Sequence, residues 1–418
     1  MKISPLLASL LILAASIASS PAATYYSDPA KGTAEGDGSA NSPWPKLQDA
    51  PLSKLQGGDT LLLRSGNHGD VKISGDNASV VTIAAEPGQT PQLSRLDIIK
   101  GSKWLVKGLT ISSSFAAEPY KGNMLIVAEG GPGSDIVVED CFIYTVLDST
   151  KWTPQEWMGA NSGVLMGRNG TNITFRNNYI LNTRFASSLC SPDSLFEGNI
   201  INNFSGDGTR ITRDNIIVQY NTIRNCFVGP ANGDDNHDDL MQCFLFNKGK
   251  GTVRNLTIRG NILIGFEDAN APLMHEPQAI GFFDGPLVDF IVEKNIIATN
   301  HYHGISLYDA VNCKILDNAV KPISQQKMIP GIMLNSKKGV GGSSGNTVKN
   351  NMAPKFSLKA DPEVVESDNI ALDDSKFDRR LKEQEDEINS KFGEFHPVAK
   401  LSRLGMRTGE YKAPTSAN

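Results

Sequence analysis

IIVQYNTI, at Ile216–Ile223, recurs six more times along the chain: as ITFRNNYI from Ile173, SLFEGNII from Ser194, LTIRGNIL from Leu256, FIVEKNII from Phe290, CKILDNAV from Cys313 and NTVKNNMA from Asn346. Each copy is a short β-prone run, then a polar residue or glycine, then an asparagine: Asn178, Asn199, Asn221, Asn261, Asn295, Asn318 and Asn351. Two degenerate copies precede them, WLVKGLTI from Trp104 and IVVEDCFI from Ile136, with leucine or cysteine in the asparagine's place. The asparagines are separated by 21, 22, 40, 34, 23 and 33 residues, so the turn is about 21 residues long and the longer gaps carry insertions. A turn of that length with short strands and one fixed polar corner suits a sheet coiled on itself, its coils about 4.8 Å apart. Carboxamides stacked at that spacing can bond one to the next, so the asparagine column is architectural.

The pattern resembles the right-handed parallel β-helix family, which includes pectate lyases, alginate lyases and mannuronan C5-epimerases. The resemblance implies an all-β, right-handed parallel β-helix solenoid over residues 61–355. An N-terminal cap is expected over 24–60 and a C-terminal cap or helical extension over 356–418, where SKFDRRLKEQEDEINSKF has helical spacing. Met1-Lys2, an apolar run and SSPAA give residues 1–23 the form of a signal peptide, which predicts a secreted or periplasmic protein with no membrane anchor after cleavage. Five cysteines make a full disulfide framework improbable; they read as buried small apolar residues. The net charge of −5 advertises no nucleic-acid surface, and a monomer is expected.

A second strand column lies between the asparagine corners: GVLMG from Gly163, TRIT from Thr209, DLMQCF from Asp239, AIGFFD from Ala279, GISLYD from Gly304 and GIMLNS from Gly331. Aligning Ile211, Leu240, Ile280, Ile305 and Ile332 puts His237, His275, His303 and His301 at the entry edge of successive strands, beside Asp207, Arg210 and Arg213. The segment NGDDNHDD, ending at Asp239, concentrates carboxylates that repel one another unless a cation intervenes, and oxygen donors suit Ca²⁺. Asp234, Asp235 and Asp238, with Asp207 one coil earlier, resemble the calcium pocket of family-nine pectate lyases, which implies a Ca²⁺ cofactor at those four residues.

The expected activity is β-elimination in an acidic, uronate-containing polysaccharide. In it, bound Ca²⁺ or Arg210 and Arg213 neutralise the uronate, His237 or His275 takes the C5 proton and Tyr308 protonates the leaving oxygen. His303, Asp239, Asp284, Asp309 and Lys337 complete the substrate contacts. Three alternatives stand beside it: C5-epimerisation, hydrolysis by Asp284 and Asp309 stacked on adjacent coils, and glycan binding without catalysis.

Overall fold

The computed structural model describes residues 21–119, 122–245, 251–324, 328–337 and 341–393. The signal-peptide reading of the first residues and the far C-terminal extension lie outside that description for residues 1–20 and 394–418. Every strand-to-strand register is parallel, and strands from successive coils pair in three columns. The first includes Ser162–Met166, Ser187–Leu189, Thr209–Ile211, Asp239–Cys243, Gln278–Phe282, His303–Tyr308 and Gly331–Asn335. The second carries the apolar run before each asparagine, such as Ile217–Gln219 and Ile291–Glu293, and the third begins just after it, as in Thr222–Cys226 and Ile296–Ala298. Near the N-terminus the long strands Asp70–Ala85 and Arg95–Lys107 bend across the first two columns and join them into one sheet. The interior is one continuous column of Ile, Val, Leu and Phe.

The seven asparagines do form a ladder. Each Oδ1 accepts from both the backbone N–H and the Nδ2 of the preceding asparagine, at 2.9–3.1 Å from Asn178 through Asn351, and each Nδ2 also donates to a carbonyl such as Val218 O. The residue before each asparagine has positive φ: Asn177, Gly198, Tyr220, Gly260, Lys294, Asp317 and Asn350. That corner explains the polar-or-glycine rule, since glycine and short polar side chains tolerate the left-handed conformation best. In the degenerate copy, Cys141 donates its backbone N–H to Asn178 and so still joins the ladder.

Parallel pairing continues past the expected boundaries of the coil at both ends. Thr24–Ser27 pairs with Thr60–Leu63, so the capping segment is itself part of the first coil, and its helical content is two 3₁₀ turns, Leu47–Asp49 and Leu52–Lys54. At the other end Val365–Ser367 still pairs with Thr347–Lys349, and Asn369 adds an eighth rung. The helix Asp374–Phe392 then packs Phe377 and Ile388 sideways on Ile262, Ile296, Ala319 and Met352, along the ladder side of the stack. All five cysteines are buried free thiols.

Candidate functional site

Residues 145–161, 227–238, 265–277 and 299–302 each leave the third column and enter the first. Much of the length that the insertions add therefore rises on this edge, as a wall beside the outer face of the first column, while the rest leaves the first column towards the second, after Cys243 and after Asn335. Its register differs from the expected one. Thr209 pairs with Met241 and Ile211 with Cys243, while Met241 pairs with Ile280, so neither Ile211 nor Leu240 belongs in the row with Ile280, Ile305 and Ile332. At the strand entry Leu240 and Met241 are both fully buried, as are Ala279 and Ile280, so strict alternation fails there.

Correct register sets Asp239 opposite Gln278 and Asp207 at the equivalent place one coil earlier, where Gly208 N–H donates to Asp239 O. Asp239 is fully buried, and neither carboxylate oxygen has a hydrogen-bond partner. Its Oδ1 lies where a Cβ on Gly281 would stand, 2.3 Å from that position, with the Phe283 ring 2.9 Å from it on another side. Burial, then the charges of Asp207 and Asp238, push the Asp239 carboxyl well above its ordinary range, and Arg210 only partly offsets this. Burial also raises Asp238, to about 8, despite a bond from Asn236, and the charges of Asp234 and Asp207 add to the rise; its Oδ2 has no hydrogen-bond partner. Asp207 is raised by burial as well, opposed by Arg210, whose Nε donates to it. Buried polar atoms without partners are rare in native proteins, and a crowd of proton-holding carboxyls is rarer.

The histidines stand around this centre. His275 packs against the backbone of Gly229, where any side chain would meet its ring, and brings Nε2 to 3.5 Å from Asp238 Oδ2. Burial lowers its pKa, against the pull of Asp234. His301 and His303 are both depressed to about 4, first by burial and then by neighbouring histidines, and so are neutral near pH 7. His301 Nδ1 accepts the His303 backbone N–H, and His303 Nδ1 lies 2.7 Å from Ser306 Oγ. Phe283 joins this group to Tyr308, with ring centroids 4.8 Å from His303 and 5.0 Å from Tyr308. His237 is exposed on its loop.

Asp207, Arg210, Asp234, Asp238, Asp239, His275 and His303 thus converge, with Tyr308 linked through Phe283. Other expected residues lie elsewhere. Arg213 stands past the far end of its strand, with Cys190 in its field. Asp284 accepts from Lys337 Nζ at 2.8 Å and Asp309 from Lys337 N–H at 3.0 Å, so this trio fastens a loop, and Asp309 is buried. The proposed calcium donors do not fit the ion. Asp234 is bound bidentately by Arg184, and although burial alone would raise its pKa, that guanidinium and the Asn236 N–H hold it low. Asp207 is taken by Arg210, Asp235 is exposed, and among the described residues no group of three or more acidic, His or Cys side chains could hold a metal. Two guanidinium groups supply the positive charge expected from Ca²⁺.

Sequence reading missed Arg184, Phe185, Gln278, Phe283 and Tyr302. The Arg210 guanidinium lies 3.5 Å from the Phe185 ring centroid, Gln278 leaves a buried Oε1 without a partner, and Tyr302 is 44% exposed with its ring against His301 and His303. Phe283 and Tyr308 follow directly from the outward-facing row once the register is right; Arg184 is signalled only by the fold.

The family profile described as "Right handed beta helix region" matches residues 162–371. No curated protein matches the sequence. Among solved structures, the chain is similar to the pectate lyase Pel9A at 14% identity and a TM-score of 0.45, covering 84% of this chain and 78% of that one. It is similar to a mannuronic acid specific family 6 polysaccharide lyase from human gut microbiota at 14% identity and a TM-score of 0.48, covering 88% and 95%. The mannuronan C-5 epimerase AlgE6 A-module of Azotobacter vinelandii matches at 11% identity and a TM-score of 0.41, covering 78% and 94%. Among the described residues no helix is long and apolar enough to cross a membrane.

Proposed function

The chain belongs to the right-handed β-helix family, and from that premise we propose that it is a polysaccharide lyase whose centre is the buried carboxyl of Asp239. One observation carries the reading: a fully buried acid with both oxygens unpartnered places its Oδ1 in the space that a side chain on Gly281 would fill, beside neutral histidines. A carboxyl kept protonated by burial is a proton donor at neutral pH, and a buried neutral imidazole is a proton acceptor.

In elimination, His275 takes the C5 proton of a uronate, the C5–H pair forms the C4–C5 double bond, and the C4–O bond breaks. The departing oxygen receives its proton from Asp239. The uronate carboxylate needs its charge offset while C5 is acidified; Arg210 supplies positive charge and protonated Asp238 a hydrogen bond. Tyr308 and Phe283 then line the sugar's path instead of donating the proton. His237, exposed, takes no part in the chemistry.

A second reading has its own support. Asp207 and Asp239 occupy equivalent places on adjacent coils, about 4.8 Å apart along the stack, in the hydrogen-bonding direction, near the separation of a retaining glycosidase pair. This moves the hydrolase alternative away from Asp284 and Asp309. Incubation with polyuronates and neutral glycans, followed at 235 nm and by reducing-end assay, separates the two. Unsaturated product supports the lyase; new reducing ends without absorbance replace it by the hydrolase; neither product removes both.

A further inference from the structure

Residues 145–161 build part of the same wall, entering the first column at the Ser162–Met166 strand. Val164 pairs with Ser187 and Ser187 with Thr209, so this segment stands two coils before the one carrying Asp207, about 10 Å along the stack. Here Thr153 caps the short helix Pro154–Met158 in a capping box with Glu156. Trp152 just before the cap packs on Trp157 one turn in, as a hydrophobic staple, with ring centroids 4.8 Å apart and planes at 88°. Trp157 is buried and stacks flat on Phe227, 4.7 Å away, and its carbonyl accepts from Ser205, two residues before Asp207. The staple accounts for Trp157 completely and for Trp152 in part.

Half-buried Trp152 lines two cavities. One, of about 300 Å³, is bounded by Ser113, Thr145, Val146, Glu156 and Ala160; the other, of about 190 Å³, by Thr150, Asn203, Phe227, Asp268 and Asn270. Asn203 Oδ1 is buried there without a partner. An indole beside hydroxyl, carboxamide and carboxylate groups matches a pyranose, which presents apolar C–H faces and a rim of hydroxyls. Charge narrows the ligand further. Each cavity holds a carboxylate, and among the described residues neither lining holds a lysine or arginine, which disfavours a uronate at this position.

We propose that Trp152 is a second sugar-binding position, two coils from the Asp207–Asp239 centre, for a neutral pyranose unit of the glycan. It rests on the reading of the Asp207–Asp239 centre as a glycan-cleaving site, and it makes the substrate a heteropolysaccharide with neutral units near the cleaved bond.

The test measures binding apart from cleavage. In the Asp239→Asn protein, tryptophan emission and calorimetry are followed with xylotetraose and cellotetraose, and with tetragalacturonate as the acidic probe. The neutral probes should quench emission, and Trp152→Leu, which keeps an apolar contact for Trp157, should weaken their binding about tenfold, the scale of one lost aromatic contact. Unchanged affinity in Trp152→Leu, Trp152-dependent binding of the uronate alone, or no binding of either neutral probe overturns the proposal. Trp152-dependent binding in a wild-type protein that cleaves nothing supports this site while removing the catalytic reading; cleavage with KM unaffected by Trp152→Leu does the reverse.

Discussion

Replacing Asp239 by asparagine keeps the shape of the side chain and deletes only its proton. The two consequences run in opposite directions. As a general acid it is worth about 10²–10⁴ in rate, so turnover should fall by that factor. Stability should rise, and the sign follows from linkage. Burial raises the folded pKa of Asp239 above its ordinary 3.8, so above that pH the folded state holds a proton the unfolded chain has released. Such a group loses stability as pH rises from 3.8 towards the folded pKa, at up to about 1.4 kcal/mol per pH unit. Asparagine has no such slope. The variant should therefore unfold at the same or higher denaturant concentration than the wild type at pH 7, with the difference shrinking towards pH 4. Urea titrations at pH 4, 5.5 and 7, set beside turnover on whichever glycan the wild type cleaves, give both readouts. A variant that retains turnover within a few-fold, or that is less stable at pH 7 than at pH 4 by the same margin as the wild type, refutes a protonated Asp239.

The rate profile should be bell-shaped: kcat/KM rises through an acidic limb below pH 6.5, because burial favours neutral His275, and falls through an alkaline limb near pH 8, where Asp238 loses its proton. A profile flat from pH 5 to 9 would remove both assignments. Calorimetry should detect no tight Ca²⁺ uptake, and chelator should leave turnover unchanged, because Arg184 and Arg210 already hold Asp234 and Asp207; a chelator-sensitive rate restored by Ca²⁺ contradicts this. Asn261→Ala strands the Asn221 N–H and Nδ2 and the Val218 carbonyl in the interior, and should cost roughly 3 kcal/mol or more, read as a drop in the urea midpoint. A midpoint within error of wild type would mean that water or a shifted neighbour replaces the rung.

The fold was legible because its requirements are local and repeated. Each rung needs a left-handed residue, an asparagine and an apolar run, and Tyr220, the bulkiest residue at that corner, was still readable because its neighbours kept the rule. The site was legible only in composition. Asp207, Asp238, Asp239 and His275 could be picked as a crowd of acids and bases, but their roles depend on register, and the register turned on two adjacent buried residues, Leu240 and Met241, a pair that alternation cannot foresee. That slip at Leu240 hid the pairing of Asp239 with Gln278 and with it the approach of Asp239 to Gly281 and Phe283. The charge balance was hidden for a different reason. Arg184 lies 50 residues before Asp234, and only the stacking of coils makes them a pair. Without it the acidic segment asked for a metal; with it, Asp234 is satisfied by the protein itself, and burial raises the pKa of the carboxyls left over, Asp238 and Asp239. The same stacking that pairs Asp234 and Asp207 with guanidinium groups leaves Asp238 and Asp239 buried without one, and it is on that difference that the proposed acid–base role rests.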